Sequence, residues 1–146
     1  MAKFKYRMQN ILDVKLKLES QAKIAYSAAN QKYLEEQNKL QELMIRRVGY
    51  ERELKDLMSG IIDVKRISHV RSDINSIKTL IRRQSVVVHK AQMELETARQ
   101  HLNELMKDRK THEKLREKAF EEFKQELKAE ESKEIDELVS YTYNAR

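Results

Sequence analysis

Apolar residues recur along this chain at alternating steps of three and four. The repeat is cleanest in the second half, where Ile67, Val70, Ile74, Ile77, Ile81, Gln84, Val88, Ala91, Leu95, Ala98, Leu102 and Leu105 occupy it without a slip and only Gln84 is polar. That stride keeps one stripe of a helix facing a partner and is the seam of a left-handed coiled coil. Its flanks are charged, through Lys65, Arg66, Arg71, Arg82, Arg83, Lys90, Glu94, Glu96 and Arg99. Gln84 reads as a polar seam residue that sets register.

The first half carries a looser seam. Phe4, Met8, Ile11, Lys15, Leu18, Ala22, Ala25 and Ala29 follow the same steps. The register then shifts by one at Tyr33 and continues through Glu36, Leu40, Leu43, Arg47, Tyr50, Leu54, Leu57 and Ile61. Ala25, Ala29 and Tyr33 therefore predict a stutter that locally unwinds the supercoil. The cluster Ala22, Ala25, Ala28 and Ala29 predicts a close approach of the two backbones.

One break interrupts the pattern, at Ser59-Gly60-Ile61-Ile62-Asp63. Gly60 can adopt the left-handed conformation that ends a helix, and Asp63 can cap the next one. The prediction is a single all-α coiled-coil domain over residues 1–146. The first helix runs over about 5–58 and the hairpin over 59–63; the second helix covers about 64–138 and a flexible tail 139–146. At 1.5 Å per residue the helices are about 80 and 110 Å long. A short loop makes them antiparallel, with residue numbers across the seam adding to about 122. Leu18 then falls near Glu104 and Leu105, and Leu40 near Arg82. The second helix outruns the first beyond about Ala119 and overhangs.

Composition supports this plan. The 146 residues include 2 glycines and no proline, too few of the usual turn residues for a multi-turn globule. Charged residues make up 37% and aromatics 6%, a mixture suited to solvated helices with a narrow seam. The charge is unevenly placed. From Ile61 to Gln92 seven Lys/Arg face two Asp, whereas from Glu121 to Glu137 eight acidic residues face three lysines. The net charge of +6 admits nucleic acid, anionic lipid or an acidic protein surface as partner. Lys78, Arg82 and Arg83 form a basic stripe, but no aromatics are interleaved to stack bases, which disfavours nucleic acid. No stretch suits a spanning helix, and the opening Met1-Ala2-Lys3-Phe4-Lys5-Tyr6-Arg7 lacks the apolar core of a signal peptide. With no cysteine to form disulfides, a cytoplasmic protein is expected.

Nothing in the chain assembles catalysis. His69, His89, His101 and His112 lack partners at metal-ligand spacing, and there is no Gly-rich phosphate loop or nucleophile elbow. No enzyme activity, metal or cofactor is expected. The continued seam, Leu105, Arg109, His112, Arg116, Ala119 and Phe123, is unusually polar in its middle. It reads as a wet, fraying stretch, as ion pairs with Asp13 and Glu19 across the helices, or as a surface kept open for a partner.

Three segments point to a known family: Phe4-Lys5-Tyr6-Arg7-Met8-Gln9-Asn10-Ile11-Leu12-Asp13-Val14-Lys15, the block Arg109-Lys110-Thr111-His112-Glu113-Lys114-Leu115-Arg116-Glu117-Lys118, and the ending Lys133-Glu134-Ile135-Asp136-Glu137-Leu138. With Gly60-Ile61 at the hairpin, their order and spacing resemble the FliJ family, a coiled-coil component of the bacterial flagellar type III protein export apparatus. The segment Val86-Val87-Val88 is more β-branched than the family pattern. The resemblance implies a likeness to the γ shaft of rotary ATPases and a role in flagellum biogenesis and motility. It implies association with a hexameric export ATPase through the end holding both termini, and contacts with a membrane export gate and export chaperones. It also implies a location at the cytoplasmic face of the inner membrane, without insertion into the bilayer.

On that reading Lys3, Lys5, Arg7, Arg109, Lys110, Lys114, Arg116 and Lys118 form a cationic collar for the ATPase ring. A patch of Val70, Asp73, Ile77 and Leu80 near the hairpin is the candidate gate contact. Competing expectations are a generic dimerising scaffold, an injectisome stalk counterpart or, less favoured, a nucleic-acid-binding coiled coil.

Overall fold

A computed structural model describes residues 3–144. Among them are two helices, α1 (Gln9–Leu57) and α2 (Val64–Asn144), packed against each other as an antiparallel coiled-coil hairpin. The chain divides into two compact units, and each helix contributes to both.

The unit spanning Ala22–Leu102 contains the hairpin. Its core is the seam of α2: Val70, Ile74, Ile77, Ile81 and Ala91 are buried, together with Ala22 of α1. Ile67, Gln84, Val88, Leu95, Ala98 and Leu102 are half-buried, so this seam follows the expected stride. Gln84 performs the registering role expected of it. Its Nε2 donates to the Glu36 carbonyl oxygen at 2.9 Å and to Glu36 Oε2 at 2.6 Å. The Gln84 bond to the Glu36 side chain, followed by one from Lys39 Nζ to Glu36 Oε1 at 3.2 Å, holds the Glu36 carboxyl below its ordinary range. Lys32 to Glu94 at 3.4 Å and Arg66 to Glu53 at 4.0 Å complete the antiparallel pairing.

At the turn, Asp63 caps α2 as expected: its Oδ1 accepts from the Arg66 backbone N–H at 3.3 Å. Gly60 departs from expectation, since no glycine takes a positive φ among the described residues. The end of α1 is closed by other groups. The Ser59 N–H and hydroxyl both donate to the Asp56 carbonyl, at 3.2 and 2.9 Å, and the Met58 N–H reaches the Lys55 carbonyl at 3.2 Å. These short-range bonds occupy carbonyls that a left-handed glycine would otherwise have satisfied.

The seam of α1 differs from the sequence reading. The covered positions run Leu12, Lys15, Glu19, Ala22, Tyr26, Ala29, Tyr33, Glu36, Leu40, Leu43, Arg47, Tyr50, Leu54 and Leu57, in unbroken steps of three and four. There is no stutter. Ile11, Leu18 and Ala25, expected on the seam, are exposed one position away from it. The apolar residues misled because the seam here is partly polar, with Glu19 only 4% exposed.

The other unit joins the residues up to Gln21 with those from Asn103 onward. Here α1 starts at Gln9 and not near Lys5. Residues 3–6 leave helical geometry, and the Phe4 ring packs at 5.0 Å from Phe120 and 5.4 Å from Phe123. All three phenylalanines of the chain meet in this cluster. At the other end, α2 continues through Asn144 and does not stop near Leu138. Neither Gly nor Pro occurs there to stop it, and Thr142 Oγ1 donates back to the Leu138 carbonyl at 2.8 Å. Residues 139–144 of the expected tail are therefore helical, while 145–146 lie outside the described residues. From residue 128 to 144 every position is exposed; the overhang expected beyond about Ala119 starts later, because the N-terminal segment packs on α2 through Phe120 and Phe123.

Candidate functional site

The polar run on the α2 seam resolves into two cross-helix clusters. Lys15 of α1 holds Asp108 of α2 at 2.6 Å. That bond is the main reason the Asp108 carboxyl lies below its ordinary range, opposed in part by burial. His112, four residues on, places Nε2 3.6 Å from Asp108 Oδ1, and its Nδ1 is buried without a hydrogen-bond partner. In the second cluster Arg109 is shared between Glu19 and Glu113, the latter at 2.8 Å. Glu19 first and Glu113 second stabilise the guanidinium charge and raise its pKa. Glu19 is the cross-helix partner expected from the sequence. Asp13 is not the other; it accepts from Gln9 Nε2 on its own helix at 2.9 Å.

This arrangement divides the expected collar. Lys3, Lys5, Arg7, Lys110, Lys114 and Lys118 are exposed on the N-terminal segment and on α2. Arg109 is turned into the seam with its side chain only 18% exposed, so it holds the helices together and is spent as a surface cation. Arg116 is exposed but engaged: its Nε donates to Gln9 Oε1 at 2.9 Å, and its guanidinium lies 5.8 Å from the Phe4 ring centre. Buried Glu19 had no apolar signal to mark it. The unbroken stride back from Tyr33 through Tyr26 and Ala22 would have placed it on the seam.

The second expected patch also divides. Val70 and Ile77 are each 2% exposed and belong to the core, as their seam positions require. Leu80 is 42% exposed. Asp73 is half-buried beside His69, whose Nε2 lies 3.7 Å from Asp73 Oδ2. Only Leu80 and the accessible edge of Asp73 can meet a partner without unfolding the seam.

Among the described residues no group of three or more His, Asp or Glu side chains is placed to hold a metal ion, and no helix is long and apolar enough to cross a membrane. The geometry offers charged and apolar surfaces on paired helices, which suits recognition of other proteins. Neither the curated proteins nor the solved structures contain a significant match to the chain. A family model does match it, over residues 4–146, under the description Flagellar FliJ protein. The chain belongs to the FliJ family and is a component of the flagellar export apparatus.

Proposed function

We propose that the chain works as a non-enzymatic coiled-coil shaft: it binds the hexameric export ATPase, couples it to the membrane export gate and contacts export chaperones. It would do so from the cytoplasmic face of the inner membrane, held there by its partners. The observation that carries this reading is the exposed cationic group on one unit of the chain. Lys3, Lys5 and Arg7 come from the N-terminal segment, and Lys110, Lys114 and Lys118 come from α2. Lys110, Lys114 and Lys118, spaced four apart, share one exposed face of α2, and an exposed cationic face suits an acidic counter-surface. Family membership supplies the setting, and the γ-shaft likeness supplies the idea that this end enters the ring. Leu80, with Asp73 beside it, is the accessible remainder of the gate patch.

Sedimentation of purified chain with the purified hexameric ATPase tests the ring contact. Lys110→Glu/Lys114→Glu/Lys118→Glu substitutes exposed residues and leaves the seam intact. It should weaken association about tenfold or more at low salt, and wild-type affinity should fall as salt rises. Unchanged affinity of the triple variant at low salt would remove the proposed contact. For the gate, Leu80→Asp with Asp73→Ala should abolish pull-down; full retention would exclude that patch.

A further inference from the structure

The two flanks of the hairpin in the Ala22–Leu102 unit differ in chemistry. In each four-residue step of the seam, the last residue lies on one flank and the first on the other. The last residues pair across the helices, Lys32 with Glu94 at 3.4 Å and Arg66 with Glu53 at 4.0 Å. Asp73 and Leu80 are also last residues, so the candidate gate patch shares that flank. The first residues therefore share the opposite flank. Met44 of α1 follows Leu43 there, and Arg71 and Lys78 of α2 follow Val70 and Ile77. Val48 and Arg82, four residues on from Met44 and Lys78, widen the same side.

On this second flank α1 supplies apolar surface and α2 supplies cations. Met44, Ile45 and Val48 are 46%, 72% and 51% exposed, and with Gly49 and Arg52 they line a shallow depression. Gly49 weakens the middle of α1 without a local reason: it has no positive φ, and a Cβ there would meet nothing within 4 Å. Its missing side chain leaves the depression open to close approach by another chain. Across from it, none of Arg71, Lys78 and Arg82 enters an ion pair among the described residues. Glu51, the acidic residue one heptad after Met44, is already held by Arg47 at 2.9 Å.

We propose that this flank receives an amphipathic helix of another protein that carries Asp or Glu along one edge. Its apolar side would lie on Met44, Ile45 and Val48, and its acidic edge would reach Arg71, Lys78 and Arg82. Charge sets the choice of occupant, since three unpaired cations beside an apolar strip attract an acidic helix and repel a basic one. Shape favours a helix over a lipid surface: the apolar and cationic rows lie on two cylinders with a groove between them, which a third helix fits. The flank faces away from Leu80 and Asp73 and belongs to a different unit from the cationic collar, so it depends on neither assignment.

The test uses the full chain and a fluorescent synthetic helix of about 18 residues, with leucines at three-and-four spacing flanked by glutamates. Control peptides carry the same leucines with lysine flanks, or the glutamate composition scrambled. The glutamate helix should bind in the range of about 1–100 µM, and both controls about tenfold or more weaker. Ile45→Ser/Val48→Ser and, separately, Arg71→Glu/Arg82→Glu should each weaken it about tenfold, with helix content by circular dichroism unchanged. Lys110→Glu/Lys114→Glu/Lys118→Glu, in the other unit, should bind it as the wild type does. Equal binding of the scrambled peptide, wild-type affinity in either flank variant, or an equal loss in the Lys110 variant overturns the proposal. So does concentration-dependent dimerisation of the chain alone that Ile45→Ser/Val48→Ser abolishes, since the occupant is then a second copy. Co-sedimentation with phosphatidylglycerol vesicles that Arg71→Glu/Arg82→Glu abolishes would make the occupant a lipid surface and would overturn it too.

Discussion

Replacing Ile77 by alanine separates seam from surface at the candidate gate patch. Ile77 is 2% exposed, so the change removes about three methylene equivalents from a dry position. At about 0.8 kcal/mol each, transfer alone amounts to about 2.4 kcal/mol. A cavity contribution raises large-to-alanine costs to about 2–5 kcal/mol, and the low part of that range applies where neighbours can collapse. Two helices can close on a gap more readily than a three-dimensional core, so about 3 kcal/mol is expected. For a chain of this length each kcal/mol moves Tm by about 2–4 °C, which gives a fall of about 6–12 °C. Leu80→Ala, at a 42% exposed position, should change stability by about 0.5 kcal/mol or less. Thermal melts followed by circular dichroism at 222 nm, the standard helix wavelength, make the comparison. If Ile77→Ala melts with the wild type, the burial argument for the seam fails. If Leu80→Ala is the more damaging of the two, the division of the patch is inverted.

The cluster around Arg109 makes a sharper qualitative prediction. Arg109→Met should destabilise by removing the cross-helix partner of the buried Glu19 carboxylate, and Glu19→Leu/Arg109→Met should recover stability relative to Arg109→Met; a double variant no better than the single one would contradict this. Gly60→Ala should be tolerated within about 0.5 kcal/mol in a denaturant titration, because no positive φ is used and a Cβ there meets nothing within 4 Å. Glu36 and Asp108 have folded pKa values below their ordinary 4.5 and 3.8. Their stabilisation is therefore fully present above those values and is lost as pH falls through the lower folded ones. Melts taken downward from about pH 6 should show this loss, and Glu36→Gln should flatten part of it.

Different physical signals made the two helices unequally legible. Along α2, Val70, Ile74, Ile77 and Ile81 are apolar and buried, so hydropathy and stride agree. Along α1 they conflict. Lys15, Glu19, Glu36 and Arg47 occupy covered positions, while Ile11, Leu18 and Ala25 sit exposed beside the seam. Following the apolar residues produced a stutter that the backbone does not have. Glu19 lies on the seam because Arg109 pairs with it across the helices, a partner that the antiparallel pairing of the two helices already offered. The same pairing takes Arg109 out of the expected cationic collar and into the seam. Phe4 illustrates a third gap: helical stride carried it into the first helix, but its contact with Phe120 and Phe123 favours non-helical chain over residues 3–6. Asp63 and Gln84 were legible because a helix cap and a polar seam residue each declare their role locally.

The shaft assignment is tested most directly by stoichiometry. Native mass spectrometry of the purified chain mixed with an assembled hexameric export ATPase should give one chain bound per ring, with ATP hydrolysis faster in the complex than in the ring alone. A ring that binds six chains, one on each subunit, or a ring that binds none at low salt, would contradict it.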